Sequence, residues 1–127
     1  MERDTRIVID KDEQLEFCSF EDSVELQKLG LILDSPFAYY TNDGEFIVIG
    51  DEYKYKGTGA PLLQQAFRYF SEAYGLISQI TYDSFDKTFG YQIDSKKNIQ
   101  AKFGLVTYKD AEELCLYWLI KTAKESK

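Results

Sequence analysis

The chain has 127 residues, 44% of them hydrophobic and 16% aromatic, and a formal net charge of −7. One domain of this size buries about two thirds of its unfolded surface, so the composition argues against disorder and an ordinary core needs no staples. The acidic balance opposes generic binding to a phosphate backbone, and the lack of His removes the usual general base near neutral pH and the commonest transition-metal ligand.

The N-terminal stretch MERDTRIVIDKDEQ is charged and carries no long apolar core. No signal peptide is visible and no apolar run approaches a membrane span, so a cytoplasmic protein with no membrane contact is expected. Residues 1–14 read as a flexible arm or, through Ile7-Val8-Ile9, as an edge strand. Ser19 is placed to cap a helix over Phe20–Leu29, with Asp22 at the capping-box position, Glu21 and Asp22 in the first turn, and Gly30 to end it. Pro36 turns its predecessor away from helix, and Phe37 to Thr41 reads as a strand. Asn42-Asp43-Gly44 is a reverse-turn signal, and Glu45 to Ile49 is the returning strand. Phe46 and Val48 lie on one face and Ile47 and Ile49 on the other, which points to a central strand or one covered on both faces.

Next comes DEYKYKGTGAPLLQQAFRYF, residues 51–70. Leu63, Phe67, Phe70 and Tyr74 recur at spacings of four, three and four, the stripe of an amphipathic helix, which Leu62, Ala66, Tyr69 and Ala73 widen. That helix is expected over Pro61–Tyr74, stopped by Gly75, with Arg68 and Glu72 as an i,i+4 ion pair. Ile80 and Tyr82, then Phe89, Tyr91 and Ile93, alternate with polar residues around Ser84-Phe85-Asp86-Lys87 and predict a second hairpin. A further strand runs from about Ile99 to Leu105. Thr107 caps a last helix with Asp110 at the box position, its inner face lined by Ala111, Leu114, Cys115, Trp118, Leu119 and Thr122. Lys121, Lys124 and Lys127 gather at its end, where the helix dipole favours cations. These elements make an α+β fold: a mainly antiparallel sheet of about four to six strands with about three helices packed on it, in a single domain over residues 1–127.

Two segments, APLLQQAFRYFSEAYGLISQITYDSFDKTFGYQID and VTYKDAEELCLYWLIKTAKE, resemble a family of small uncharacterised proteins of bacteriophages and mobile or prophage-like regions of bacterial genomes. The shared parts are Tyr39 and Tyr40 on a strand, the LLQ-type helix entry Leu62 to Gln65, the helix end Tyr74-Gly75, the tyrosine-rich hairpin, and the closing Thr107 to Ala111. The resemblance spans roughly Ser19 to Lys124. It implies an accessory gene product in the cytoplasm of a bacterial host and supplies no established activity, so no functional residue is carried over. Gly57-Thr58-Gly59 departs from the family pattern, whose helix entry is less glycine-rich.

The candidate functional residues divide among several chemistries. Gly57, Thr58 and Gly59 before a helix suggest an anion or small-ligand cradle, but Lys56 precedes the glycines, Ala60 and Pro61 follow them, and Pro61 lacks an N–H. A glycine hinge into the helix is the plainer reading. Lys54 and Lys56 alternate with Tyr53 and Tyr55, and with Arg68 they are the candidate nucleic-acid contacts. In an extended chain, however, the tyrosines and lysines point to opposite faces. Asp83 with Asp86, or Glu112 with Glu113, read as solvated acids, since adjacent helical residues do not face each other. Cys18 and Cys115 form no zinc pattern, Cys115 reads as a core residue, and the sequence leaves their pairing open. No metal or cofactor is expected. Tyr39 and Tyr40 are the candidate partner surface: one face of a strand takes only one of them to the core, and the other sits under another element or is exposed. The expectation is a non-enzymatic binding protein acting on a protein partner, with homo-oligomerisation open. The alternatives are a nucleic-acid accessory protein with a local basic patch and a small-ligand binder.

Overall fold

End chemistry sets the helix boundaries. The computed structural model describes residues 16–33, 36–48 and 57–126. Helix α1 covers Phe20–Leu29, with the Ser19 hydroxyl accepting a hydrogen bond from the Asp22 N–H at 3.1 Å. Gly30 closes it at φ 114°, its N–H bonding to the Gln27 carbonyl while Leu31 N–H reaches Leu26, a Schellman closure that needs the left-handed backbone glycine adopts freely. The short strands β1 (Ala38–Tyr40) and β2 (Phe46–Val48) form the expected hairpin, with Tyr40 opposite Phe46. Strand β3 (Thr58–Gly59) joins the other side of β1, and α2 (Leu63–Tyr74) follows. Strands β4 (Ile77–Asp83), β5 (Thr88–Asp94) and β6 (Ile99–Leu105) lead to α3 (Tyr108–Glu125). On α3 the Thr107 hydroxyl accepts from the Asp110 N–H at 3.0 Å.

The fold is α+β, with three helices and two three-stranded antiparallel sheets among the described residues. The strands therefore divide between two sheets, ordered β2-β1-β3 and β4-β5-β6. The chain splits into two compact units at Ala66/Phe67, inside α2.

In the first unit the segment around Phe17 pairs antiparallel with Leu62, through Cys18 N–H to Pro61 and Leu63 N–H to Glu16. Its core gathers Ala38, Tyr40, Phe46 and Ala60, with Phe17 and Phe20 packed against them. The rings of Phe17, Phe46, Tyr40 and Phe20 contact in sequence with centroids 5.2 to 5.6 Å apart, a tilted chain that suits aromatic quadrupoles. The central strand is β1. The expected central strand, β2, lies at an edge, yet Phe46 and Ile47 are both buried, so it is covered on both faces as anticipated.

In the second unit α3 lies on the β4-β5-β6 sheet. Tyr91 and Ile93 of β5 are buried, and Gln100 of β6 donates to the Thr122 hydroxyl of α3 at 3.2 Å. The buried arc of α3 comprises Ala111, Glu112, Cys115, Leu116, Leu119, Ile120 and Ala123. It is rotated from the expected face: Leu114, Trp118 and Thr122 are half-buried, while Glu112, Leu116 and Ile120 join Ala111, Cys115, Leu119 and Ala123 among the buried residues. Cys18 and Cys115 are both buried.

Candidate interaction surface

Among the described residues, ten large apolar side chains are exposed, and eight of them belong to the second unit: Ile77, Tyr82, Phe85, Ile99, Phe103, Val106, Tyr108 and Tyr117. Exposed apolar side chains that share one patch are a candidate interaction face. Antiparallel pairing brings several of them to one end of the sheet, where β4 ends, β5 begins and Leu105 of β6 lies opposite Phe89.

The β4–β5 loop is built by one carboxylate. Asp83 accepts from the Phe85 N–H at 2.9 Å and the Asp86 N–H at 3.3 Å, and its carbonyl takes the Lys87 N–H at 2.8 Å. This is an Asx turn, closed by Lys87 in the left-handed region at φ 58°. The loop holds Phe85 93% exposed. Behind it the Tyr82 and Phe89 rings lie 4.9 Å apart, and Phe89 meets Tyr108 edge-on at 5.9 Å. The Thr107 cap fixes Tyr108 at the first turn of α3, and Val106 beside it is 79% exposed. An aromatic ridge thus runs from the hairpin to the start of α3.

The sheet face opposite α3 carries a second apolar group. Asp94 lies between Ile77 and Ile99 in register, and Phe103 rests against Gly90. Gly90 has a packing reason: a Cβ there would strike the Lys102 carbonyl and come within 3.0 Å of the Phe103 ring. Residues 95–109, from the β5–β6 turn through β6 to the start of α3, hold four lysines (Lys96, Lys97, Lys102 and Lys109) and no acid. Charge is segregated along the chain: residues 1–66 hold fourteen of the twenty-two acids and six of the fifteen bases.

The residues singled out by sequence fall elsewhere. Tyr39 and Tyr40 are buried, 3% and 1% exposed, and make no partner surface. Their strand is the centre of a three-stranded sheet, so Tyr39 is covered on one face with Ile47 beside it, while on the other the Tyr40 hydroxyl donates to the Cys18 carbonyl at 2.6 Å. Of the two outcomes open for the second tyrosine, cover by another element or exposure, the structure shows cover, because both sheet faces are packed. Lys54 and Lys56, like the expected arm over residues 1–14, lie outside the described residues. Gly57, Thr58 and Gly59 are not a hinge: Thr58 and Gly59 are β3, opposite Tyr40 and Tyr39. The cleft beside Gly59, lined by Gln27, Leu31, Ile32 and Leu33, has room for about 30 Å³, one water rather than a ligand. Arg68 is exposed and its Nε donates to Glu72 at 2.8 Å, the ion pair expected from spacing, and that bond raises its pKa further. Asp83 and Asp86 organise a turn, while Glu112 is buried and Glu113 exposed, on different sides of α3.

Titration in the second unit follows burial. The Cys115 thiol is pushed up to about 12 by desolvation, with a hydrogen bond to Ser78 opposing the rise and the Glu112 charge adding to it. Burial also raises the Tyr91, Tyr69 and Tyr108 hydroxyls. Such a thiol is a packing group rather than a nucleophile. Among the described residues no three His, Cys, Asp or Glu side chains are grouped to hold a metal, and no helix is long and apolar enough to cross a membrane. Comparison with protein-family models, curated proteins and solved structures finds no match.

Proposed function

We propose that this chain is a non-enzymatic protein-binding module of phage or mobile-element origin, and that it engages its partner through the aromatic ridge of the second unit. The observation that carries the reading is Phe85, held almost wholly in solvent by an ordered turn of the hairpin whose Tyr82 and Phe89 rings pack together and with Tyr108. A large ring kept outside a core by a dedicated carboxylate is the kind of anchor that dominates protein interfaces. The resemblance to phage and prophage proteins supports the origin, and with it a partner in the bacterial host and residence in its cytoplasm.

The test is affinity capture from bacterial cell extract with the full chain and its Phe85→Ala variant. A specific protein captured by the parent and reduced at least tenfold by the variant is expected. Phe85 touches solvent on most of its surface, so its loss leaves the melting temperature within a few degrees. Equal capture by both chains, or no specific protein at all, overturns the reading.

A further inference from the structure

Among the described residues strand β6 is an edge of its sheet, seven residues long, and its side chains alternate in chemistry. Ile99, Ala101 and Phe103 face away from α3, and Ile99 and Phe103 are each 66% exposed. Gln100 and Lys102 share the face of Ile93 and Tyr91, toward α3. The Lys102 carbonyl is turned to Gly90 of β5, so the alternate residues Ile99 and Ala101 present their N–H and C=O groups to the open edge. Edge strands are usually blunted by prolines, several charges or bulges; β6 has no proline and one lysine, and its irregularity falls past Lys102, which leaves Ile99 to Lys102 in regular register.

Resting on the protein-binding reading above, we infer that β6 takes an extended acidic segment of the partner as a fourth strand, with β-branched residues alternating with carboxylates. An added strand forms the open-edge hydrogen bonds whatever its sequence, and side-chain alternation sets which segment fits. In one register its apolar residues join the row of Ile99 and Ala101, and its acids fall beside Lys102. A one-residue slip reverses both matches. Lys102 on the strand, with Lys96 and Lys97 in the turn before it, complements an acidic strand, while Asp94 lies on the far side of Ile99 from the open edge. These lysines also oppose β6 pairing with a second copy of itself, where Lys102 would approach its own kind. A nucleic acid fits less well, since it makes no use of the open backbone edge and meets a chain of net charge −7.

The probe is a fluorescein-labelled peptide of seven alternating Glu and Val residues with blocked ends, compared with its Lys/Val counterpart and a twelve-residue oligothymidylate. The Glu/Val peptide is expected to bind, to weaken at least fivefold between 50 and 300 mM salt, and to slow amide hydrogen exchange at Ile99 and Ala101 at least tenfold. Ala101→Pro, which removes an open-edge donor, weakens binding at least tenfold. Lys102→Glu exchanges the preference toward the Lys/Val peptide, a readout that stands even if the proline variant folds poorly. No peptide binding, equal binding of both peptides, protection elsewhere, or tighter binding of the oligonucleotide overturns the inference. Capture of a cellular partner that is lost in Phe85→Ala but unaffected by Ala101→Pro and Lys102→Glu leaves protein binding in place and removes strand addition. Peptide binding without any captured partner keeps strand addition and removes the broader reading.

Discussion

Gly57 and Gly59 are two glycines with different physical tasks. Gly57 sits at φ 140°, where residues with a Cβ are strained, and a Cβ there would collide with the Tyr40 carbonyl oxygen. Gly59 has ordinary backbone, and a Cβ would come to 3.3 Å from Leu33 Cδ1, a flexible methyl that can give way. Gly57→Ala is therefore expected to cost about 2–4 kcal/mol, from backbone strain plus a collision with rigid main chain. Gly59→Ala is expected to cost less than about 1 kcal/mol. Urea unfolding followed by circular dichroism separates the two, and equal costs would show that the close approach of the chain to Tyr40 is not what selects glycine. In the sequence, the glycines were visible but their reason was not. That reason lies in the neighbouring strand, where Tyr39 and Tyr40 stand opposite Gly59 and Thr58, and pairing of backbone with backbone leaves no side-chain pattern to read.

The β4–β5 hairpin combines an element that was legible with a surface that was not. Alternation around Ser84 to Lys87 marked the hairpin, and the observed strands extend it to Ile77–Asp83 and Thr88–Asp94. The caps at Ser19 and Thr107 were legible for the same reason: a short-range rule ties one side chain to one N–H three residues on. Phe85 carries a signal of its own, an aromatic residue inside an otherwise polar turn that a core does not reach. The long-range choices, which sheet a strand joins and which arc of α3 faces it, depend on partners distant in sequence. They put β2 at an edge and rotated the inner face of α3. The turn itself is testable through Lys87, whose φ of 58° is a costly conformation for a residue with a side chain. Lys87→Gly relieves that strain and gives back part of the gain as unfolded-state entropy, so a net stabilisation of about 0.5–1 kcal/mol is expected. Lys87→Val, β-branched at the same φ, is expected to destabilise. Thermal unfolding of the two variants reads the sign, and a destabilising glycine would mean that the lysine side chain itself holds the turn.

Charge and burial divide differently along the molecule, acids concentrating in residues 1–66 and the groups raised by burial lying beyond Ala66. Alkaline pH therefore acts on the second unit through protons its folded form keeps. The unfolded Cys115 thiol titrates near 9.0 and the folded one near 12. Below 9 both states hold the proton, and the stability associated with the raised pKa is fully present. Between the two values only the folded thiol stays protonated, so the unfolded chain binds fewer protons and stability falls as pH rises. The loss by pH 10 is about 1.4 kcal/mol, before the buried tyrosines, whose shifts have the same sign, contribute at higher pH. Trp118 is the single tryptophan and lies on α3 one turn from Cys115, which makes its fluorescence a reporter of this unit. Urea unfolding followed at Trp118 should show stability dropping between pH 8.5 and 10 in the parent chain. In Cys115→Ala the small side chain leaves a modest cavity that lowers stability at every pH, and the slope over that window should flatten by the contribution of one proton. An unchanged slope in the variant would show that Cys115 ionises as readily in the folded state as in the unfolded chain, and that Ser78 together with local water offsets the burial.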